Sequence, residues 1–129
     1  MTCSEFNRER GFVVHYNLIV DKSFSFAVRV VNLYKYLKSE KREFVLSKQT
    51  LRSGTSIGAN VREAIYGQSR KDFISKMNIA LKEAYESEYW LELLMATGFF
   101  EQNHANDLLD DCIAIRKILS SIVKSSKNS

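Results

Sequence analysis

No proline interrupts the 129 residues of this chain, and that absence narrows the fold more than any other single feature. An all-β domain of this size uses proline at turns and strand edges, where its fixed φ and missing N–H are useful, whereas a helical bundle can dispense with it. Helix is therefore favoured before any periodicity is counted. The length suits one domain, because a chain this long buries roughly two thirds of the surface it exposes when unfolded. With 45% apolar and 26% charged residues, the composition is globular, neither disordered nor of low complexity.

Periodicity then divides the chain. Residues 1–22 read as an extended arm, because Phe12 to Val20 is rich in β-branched and aromatic residues with no helical stripe. A first helix follows Ser23, a serviceable N-cap, and puts Phe24, Ala27, Val31 and Tyr34 on one stripe, joined by Val30, Leu33 and Leu37. Residues 39–43 form the first turn. A second helix, about 44–66, carries Leu51, Ile57, Val61, Ala64 and Ile65, yet its middle, Ser53-Gly-Thr-Ser-Ile-Gly-Ala59, has poor helix propensity. Gly54, Gly58 and Ala59 sit at turn spacing, so a neighbouring helix backbone is expected close against them, returning the lost stability as packing. The rival reading is a glycine loop that breaks the helix.

Gly67 suits the position after a helix end, and Ser69 with Asp72 resembles a capping box that opens a third helix. That helix runs to about Thr97 with Phe73, Met77, Ala80, Leu81, Ala84, Leu91 and Leu94 or Met95 at three- and four-residue intervals, and Gly98 ends it. After a polar turn over residues 101–106, the last helix aligns Leu108, Cys112, Ile115, Leu119 and Ile122. Residues 126–129 are expected to be a disordered tail. The fold expected is all-α, an antiparallel up-down four-helix bundle over residues 23–125 with a short N-terminal extended arm.

Charge is unevenly spread. Residues 35–82 hold 11 Lys/Arg against 4 Asp/Glu, a net +7, whereas residues 83–113 hold 8 Asp/Glu and no Lys/Arg, a net −8. A bundle built from these segments is electrically polar. Three consequences stay open: a patch of Arg52, Arg62, Arg70, Lys71, Lys76 and Lys82 that neutralises nucleic-acid phosphates, complementary contacts between protomers or with a protein partner, or a solvated mixed surface. Aromatics interleave with basic residues at Tyr34-Lys-Tyr36 and Arg62-Glu-Ala-Ile-Tyr66, which suits either base stacking or ordinary packing at bundle edges.

Catalytic chemistry has little to build on. The glutamates near the bundle centre lack the two Glu-x-x-His pairs of a di-iron site, since the spacing occurs once, at Glu101-Gln-Asn-His104 in the polar turn, and His15 has no glutamate three residues before it. Cys112 lies on an apolar stripe, and Gly54-Thr-Ser-Ile-Gly58 lacks the Gly-Lys-Ser/Thr ending of a phosphate-binding loop. No metal, cofactor or enzymatic activity is therefore expected. The second helix instead offers a polar row, Gln49, Arg52, Ser56, Asn60 and Glu63, which Lys82, Glu83 and Glu86 can face to fix helix register. Charges near the N-terminus where a secretory signal needs an apolar run, apolar stretches far too short to span a bilayer, and only two cysteines point to a cytoplasmic protein.

Several runs carry a family likeness: Ser23-Phe-Ser-Phe-Ala27, Leu33-Tyr-Lys35, Gln49-Thr-Leu-Arg-Ser53, Lys71-Asp-Phe73, Ala80-Leu-Lys-Glu-Ala84, Tyr89-Trp90 and, most specific, Ser56-Ile-Gly-Ala-Asn-x-x-Glu-Ala64. In order and spacing they resemble the four-helix bundle family of 23S ribosomal RNA intervening-sequence proteins over roughly residues 20–125. That family looks related to accessory variability proteins of diversity-generating retroelements. The resemblance implies a homopentamer that binds RNA or DNA, and a reverse transcriptase, through a basic surface. It makes Arg52, Arg62, Arg70, Lys71 and Lys76 candidates for nucleic-acid contact, and assigns Ser56, Asn60, Glu63, Glu83 and Trp90 to packing and helix register.

Overall fold

The computed structural model describes residues 13–128, all of whose regular structure is helical. Helix α1 spans Val13–Ser39, α2 Leu46–Ile65, α3 Arg70–Ala96 and α4 Gln102–Lys127. Each packs against its sequence neighbours, and α1 also meets α4, which closes an up-down four-helix bundle.

The buried positions explain why. Along α1, Tyr16, Ile19, Ser23, Phe26, Val30 and Leu37 are buried and Leu33 is half-buried, at alternating intervals of three and four. The same alternation runs through Ser47, Thr50, Gly54, Ile57, Val61 and Ala64 in α2, and through Phe73, Met77, Ala80, Ala84, Ser87, Leu91 and Leu94 in α3. It recurs in α4 from Ala105 through Leu108, Cys112, Ile115, Leu119 and Ile122 to Ser126. A strict seven-residue repeat keeps one seam facing inward along helices that cross at about 20°, the knobs-into-holes geometry of bundles.

Two boundary expectations fail. The arm expected over residues 1–22 is helical from Val13 on, its first twelve residues lying outside the described ones. Ser23 is no N-cap: it is buried in mid-helix, where its hydroxyl donates to the Val20 carbonyl at 3.2 Å. The α1 stripe shifts accordingly, so Phe24, expected inside, is 55% exposed. Tyr16 and Ile19 begin the true seam, and the ring of Tyr16 meets that of Phe73 edge-on at 5.3 Å. At the other end, α4 starts at Gln102, inside the expected polar turn, and continues to Lys127, so residues 126 and 127 of the expected tail are helical. Ser126 is buried, and its carbonyl accepts from Arg70 Nη2 at 2.5 Å.

The glycine-bearing segment is continuous helix, as the packing argument requires. A Cβ on Gly54 would lie 2.8 and 2.9 Å from the two methyls of Val30, and one on Gly58 would lie 3.5 Å from the Ser23 carbonyl oxygen. Ala59, expected on the same face, is exposed. Thr50, Thr55 and Ser56 hydroxyls donate to carbonyls four residues earlier, and Ser87 Oγ donates to Ser53 Oγ at 2.9 Å across the α2–α3 seam. Small side chains with their hydroxyls satisfied thus let three helices close together. Gly54→Ala is expected to destabilise the fold by roughly 1–2 kcal/mol, because β-branched Val30 cannot turn both methyls away. Gly58→Ala meets only ordinary contacts and is expected to be neutral or stabilising by up to about 1 kcal/mol through helix propensity. Urea unfolding of the two variants checks this, and equal effects would contradict the close approach at Gly54.

Helix ends show local chemistry. Ser69 Oγ accepts from Asp72 N at 3.1 Å, as expected of a cap. At the end of α3, Gly98 takes φ +79, while its N–H donates to Met95 O and that of Phe99 to Leu94 O, a paired closure that needs the left-handed residue. Glu43, read as part of a turn, is the cap of α2. Its carboxylate accepts from the N–H groups of Val45, Leu46 and Ser47 at 2.8–2.9 Å, and Ser47 Oγ donates to its carbonyl.

Candidate functional site

Three of the four seams carry an arginine flanked by carboxylates. Arg29 of α1 pairs with Asp107 at 3.0 Å and with Asp111, both on α4. Arg52 of α2 pairs with Glu83 at 3.1 Å and with Glu86, both on α3, and Trp90 Nε1 donates to Glu86 at 3.2 Å. Arg116 of α4 pairs with Glu88 of α3 at 2.8 Å, its guanidinium 4.9 Å from the centre of the Tyr85 ring. Five of the eight acids in residues 83–113 therefore meet an arginine within the bundle, and the acidic run is largely an internal fastening.

This divides the basic candidates. Arg52 faces Glu83 and Glu86 on the α2–α3 side and stands apart from the others. Arg62 lies in the last turn of α2, Arg70, Lys71 and Lys76 in the first two turns of α3, and Lys124 and Lys127 in the last turn of α4. Antiparallel packing brings those three helix ends to one end of the bundle, and the Arg70 contact with Ser126 ties α3 to α4 there. The cations point around that end: Arg62 toward α1, where its guanidinium sits 5.3 Å from the centre of the Phe24 ring, and Arg70 toward α4. In those turns only Glu63 and Asp72 are acidic. The result is a basic end, which no linear reading could separate from a basic face.

The residues expected to form a polar network are brought together only in part. Glu83, Glu86 and Trp90 join Arg52, whereas Ser56 and Asn60 bond within α2, Asn60 Nδ2 donating to the Ser56 carbonyl at 2.8 Å. Gln49, Glu63 and Lys82 are exposed and stand outside it. Small side chains and backbone carbonyls sit where a facing polar row was expected, so register rests on the arginine fork and the Ser53–Ser87 contact.

Sequence reasoning missed one cleft. About 420 Å³ opens between α1 and α4, lined by Arg29, Leu33, Tyr36, Phe100, Glu101, His104 and Leu108. Its walls come from segments some seventy residues apart, so no local spacing announces it. Cys112 is fully buried, its thiol donates to the Ala84 carbonyl at 3.4 Å, and burial pushes its pKa up to about 12. A thiol held neutral in this way is a poor nucleophile. Among the described residues, no three His, Cys, Asp or Glu side chains gather as metal ligands, and no helix is long and apolar enough to cross a membrane.

Comparison with known proteins adds family context. The family described as 23S rRNA-intervening sequence protein matches residues 16–121, which takes in part of α1 that had been read as an arm. A crystal structure from Bacteroides thetaiotaomicron, described as a protein with unknown function from the S23 ribosomal protein family, is 58% identical with a TM-score of 0.83. The alignment covers 85% of this chain and 98% of that one. A search of curated proteins found no match.

Proposed function

The chain belongs to the 23S rRNA-intervening sequence protein family, and from that premise we propose that it is a non-enzymatic, cytoplasmic bundle that binds RNA or DNA through its basic end. The carrying observation is the gathering of Arg62, Arg70, Lys71, Lys76, Lys124 and Lys127 at one end, while most acids of the negative segment meet arginines elsewhere. Lysines and arginines that outnumber the carboxylates among them attract phosphates and release their counterions, which makes such binding steeply dependent on salt.

A salt titration tests this reading. Affinity for RNA or DNA is expected to fall as salt rises, and Arg62→Ala, Lys71→Ala and Lys76→Ala combined should lower the log–log slope by roughly 2, at about 0.7–0.9 per lost phosphate contact. Affinity no better than millimolar at low salt, or indifferent to salt, would end the proposal.

A second reading, a self-assembling scaffold without nucleic-acid affinity, is favoured by the outward side of α1, where Leu18, Phe24 and Val28 are 41%, 55% and 46% exposed. Apolar side chains gathered on one outer helix suit a contact between copies. Complementary charge between copies supports it less, because five carboxylates of the acidic run are already engaged. Light scattering separates the cases: a pentamer that binds no nucleic acid favours the scaffold, and a monomer at every concentration excludes it.

A further inference from the structure

The basic end also carries the most exposed aromatic side chain of the described residues. Tyr66 caps the C-terminus of α2 and is 85% exposed. Its N–H closes on the Arg62 carbonyl at 3.2 Å, so it stands one helical turn beyond Arg62 on the same side of α2. Arg62 is itself held over Phe24. Across the short connection at residues 67–69, α3 begins with Arg70 and Lys71, the latter exposed. Burying so little of an aromatic ring leaves most of its apolar surface in water.

We infer that Tyr66 is a stacking platform for an unpaired nucleobase, and that the basic end selects a single strand over a duplex. This rests on the nucleic-acid reading above and deepens it. A phosphate-binding surface alone discriminates little between strands and duplexes. An exposed ring at the same end as the cations does discriminate, because only an unpaired base offers a free π-face while its neighbouring phosphates meet the basic surface. Charge complementarity favours this occupant over an apolar protein surface, since Tyr66 lies in the chain between Arg62 and the Arg70-Lys71 pair, at the helix ends where those cations gather.

Binding of a labelled 12-nucleotide oligo(U) RNA and of a 12-base-pair RNA duplex to the full chain provides the test. The single strand should bind more tightly, and Tyr66→Ala should weaken its binding about ten-fold while leaving duplex affinity and the salt slope unchanged. Tyr66→Phe should stay within about two-fold of the parent, because stacking needs the ring and not the hydroxyl. Lys71→Ala should weaken both probes together. Equal binding of the two probes, or no effect of Tyr66→Ala, overturns the inference while leaving phosphate binding intact. A change in mass by light scattering for Tyr66→Ala reassigns the ring to an interface between copies and overturns it as well. If the parent binds neither probe, both readings fall. Unchanged melting of Tyr66→Ala is expected from its exposure and shows that a lost affinity is not lost folding.

Discussion

Ile19→Ala is expected to lower the unfolding free energy by about 3 kcal/mol, because the side chain is fully buried and its removal loses transfer energy and leaves a cavity. The prediction separates two pictures of the chain before residue 23. In an extended arm the same truncation would act on a half-solvated residue and cost well under about 1 kcal/mol. In the helix, Ile19 follows Tyr16 and precedes Ser23 and Phe26 on the inward seam, so its loss weakens the anchoring of α1 over its first turns. Asn17→Ala, at an exposed position of the same stretch, is the control and should change stability little. Chemical denaturation of the three proteins decides it, and indistinguishable midpoints for Ile19→Ala and the parent would return residues 13–22 to the status of an arm.

Glu43→Ala is expected to cost about 2–3 kcal/mol. Glu43 is 9% exposed, and its carboxylate accepts from three N–H groups at the start of α2, none of which has a partner in the preceding turn of helix. The positive end of the helix dipole adds to the attraction. Burial pushes this carboxyl up, but the hydrogen bonds from Ser47, Val45 and Leu46 outweigh it and hold the pKa below the ordinary value of 4.5. The sign follows from linkage. A folded-state pKa below the unfolded one contributes stability that is complete above the unfolded value and is lost as pH falls through the folded value. Glu43→Gln, which keeps the shape but not the charge, should therefore be less stable than the parent at pH 7, with the gap narrowing below about pH 4.5. A gap that stays constant from pH 7 to pH 3 would show that the charge contributes nothing at this cap. Arg42, immediately before it, holds φ at +52, a conformation costly for a residue with a Cβ. The turn is tolerated because it delivers Glu43 to the helix end.

Residues that carry their own periodicity were legible without coordinates. Phe73, Met77, Ala80, Ala84, Leu91 and Leu94 recur so regularly that the inward side of α3 follows from spacing alone, and Ser69, Gly98 and the α4 seam behave as their residue types require. The seam of α1 was harder to see for a physical reason. Its inward positions include a serine, Ser23, and its outward ones include Phe24 and Val28, so two apolar stripes compete and burial alone chooses between them. Residues 13–22 are rich in Val, His, Tyr and Ile, which are mediocre helix formers in isolation. Packing of Tyr16 against Phe73 and of Ile19 in the core overrides that preference.

The candidate site divides in the same way. Its residue types and the segregation of charge into a +7 and a −8 segment were plain from the sequence. Which cations stay together was not, because Arg52 and Arg62 lie ten residues apart on one helix yet meet different neighbours: carboxylates of α3 for the one, an aromatic ring of α1 for the other. Glu43 likewise sits in a charged turn that gives no local hint of a cap, since its three donors belong to backbone that becomes available only when α2 starts at Leu46.

By itself the sequence determined that this chain is helical and that four apolar seams close into a bundle, and it marked the glycines of the second helix as the place for a close neighbour or a loop. Those outcomes follow from short-range spacing, which each helix satisfies on its own. Only the tertiary structure decided which face of α1 turns inward, which acids are consumed at the seams, and which basic residues converge at one end with Tyr66. Such choices depend on which helix lies alongside which, and the burial and pairing energies that settle them exist only once the helices have met.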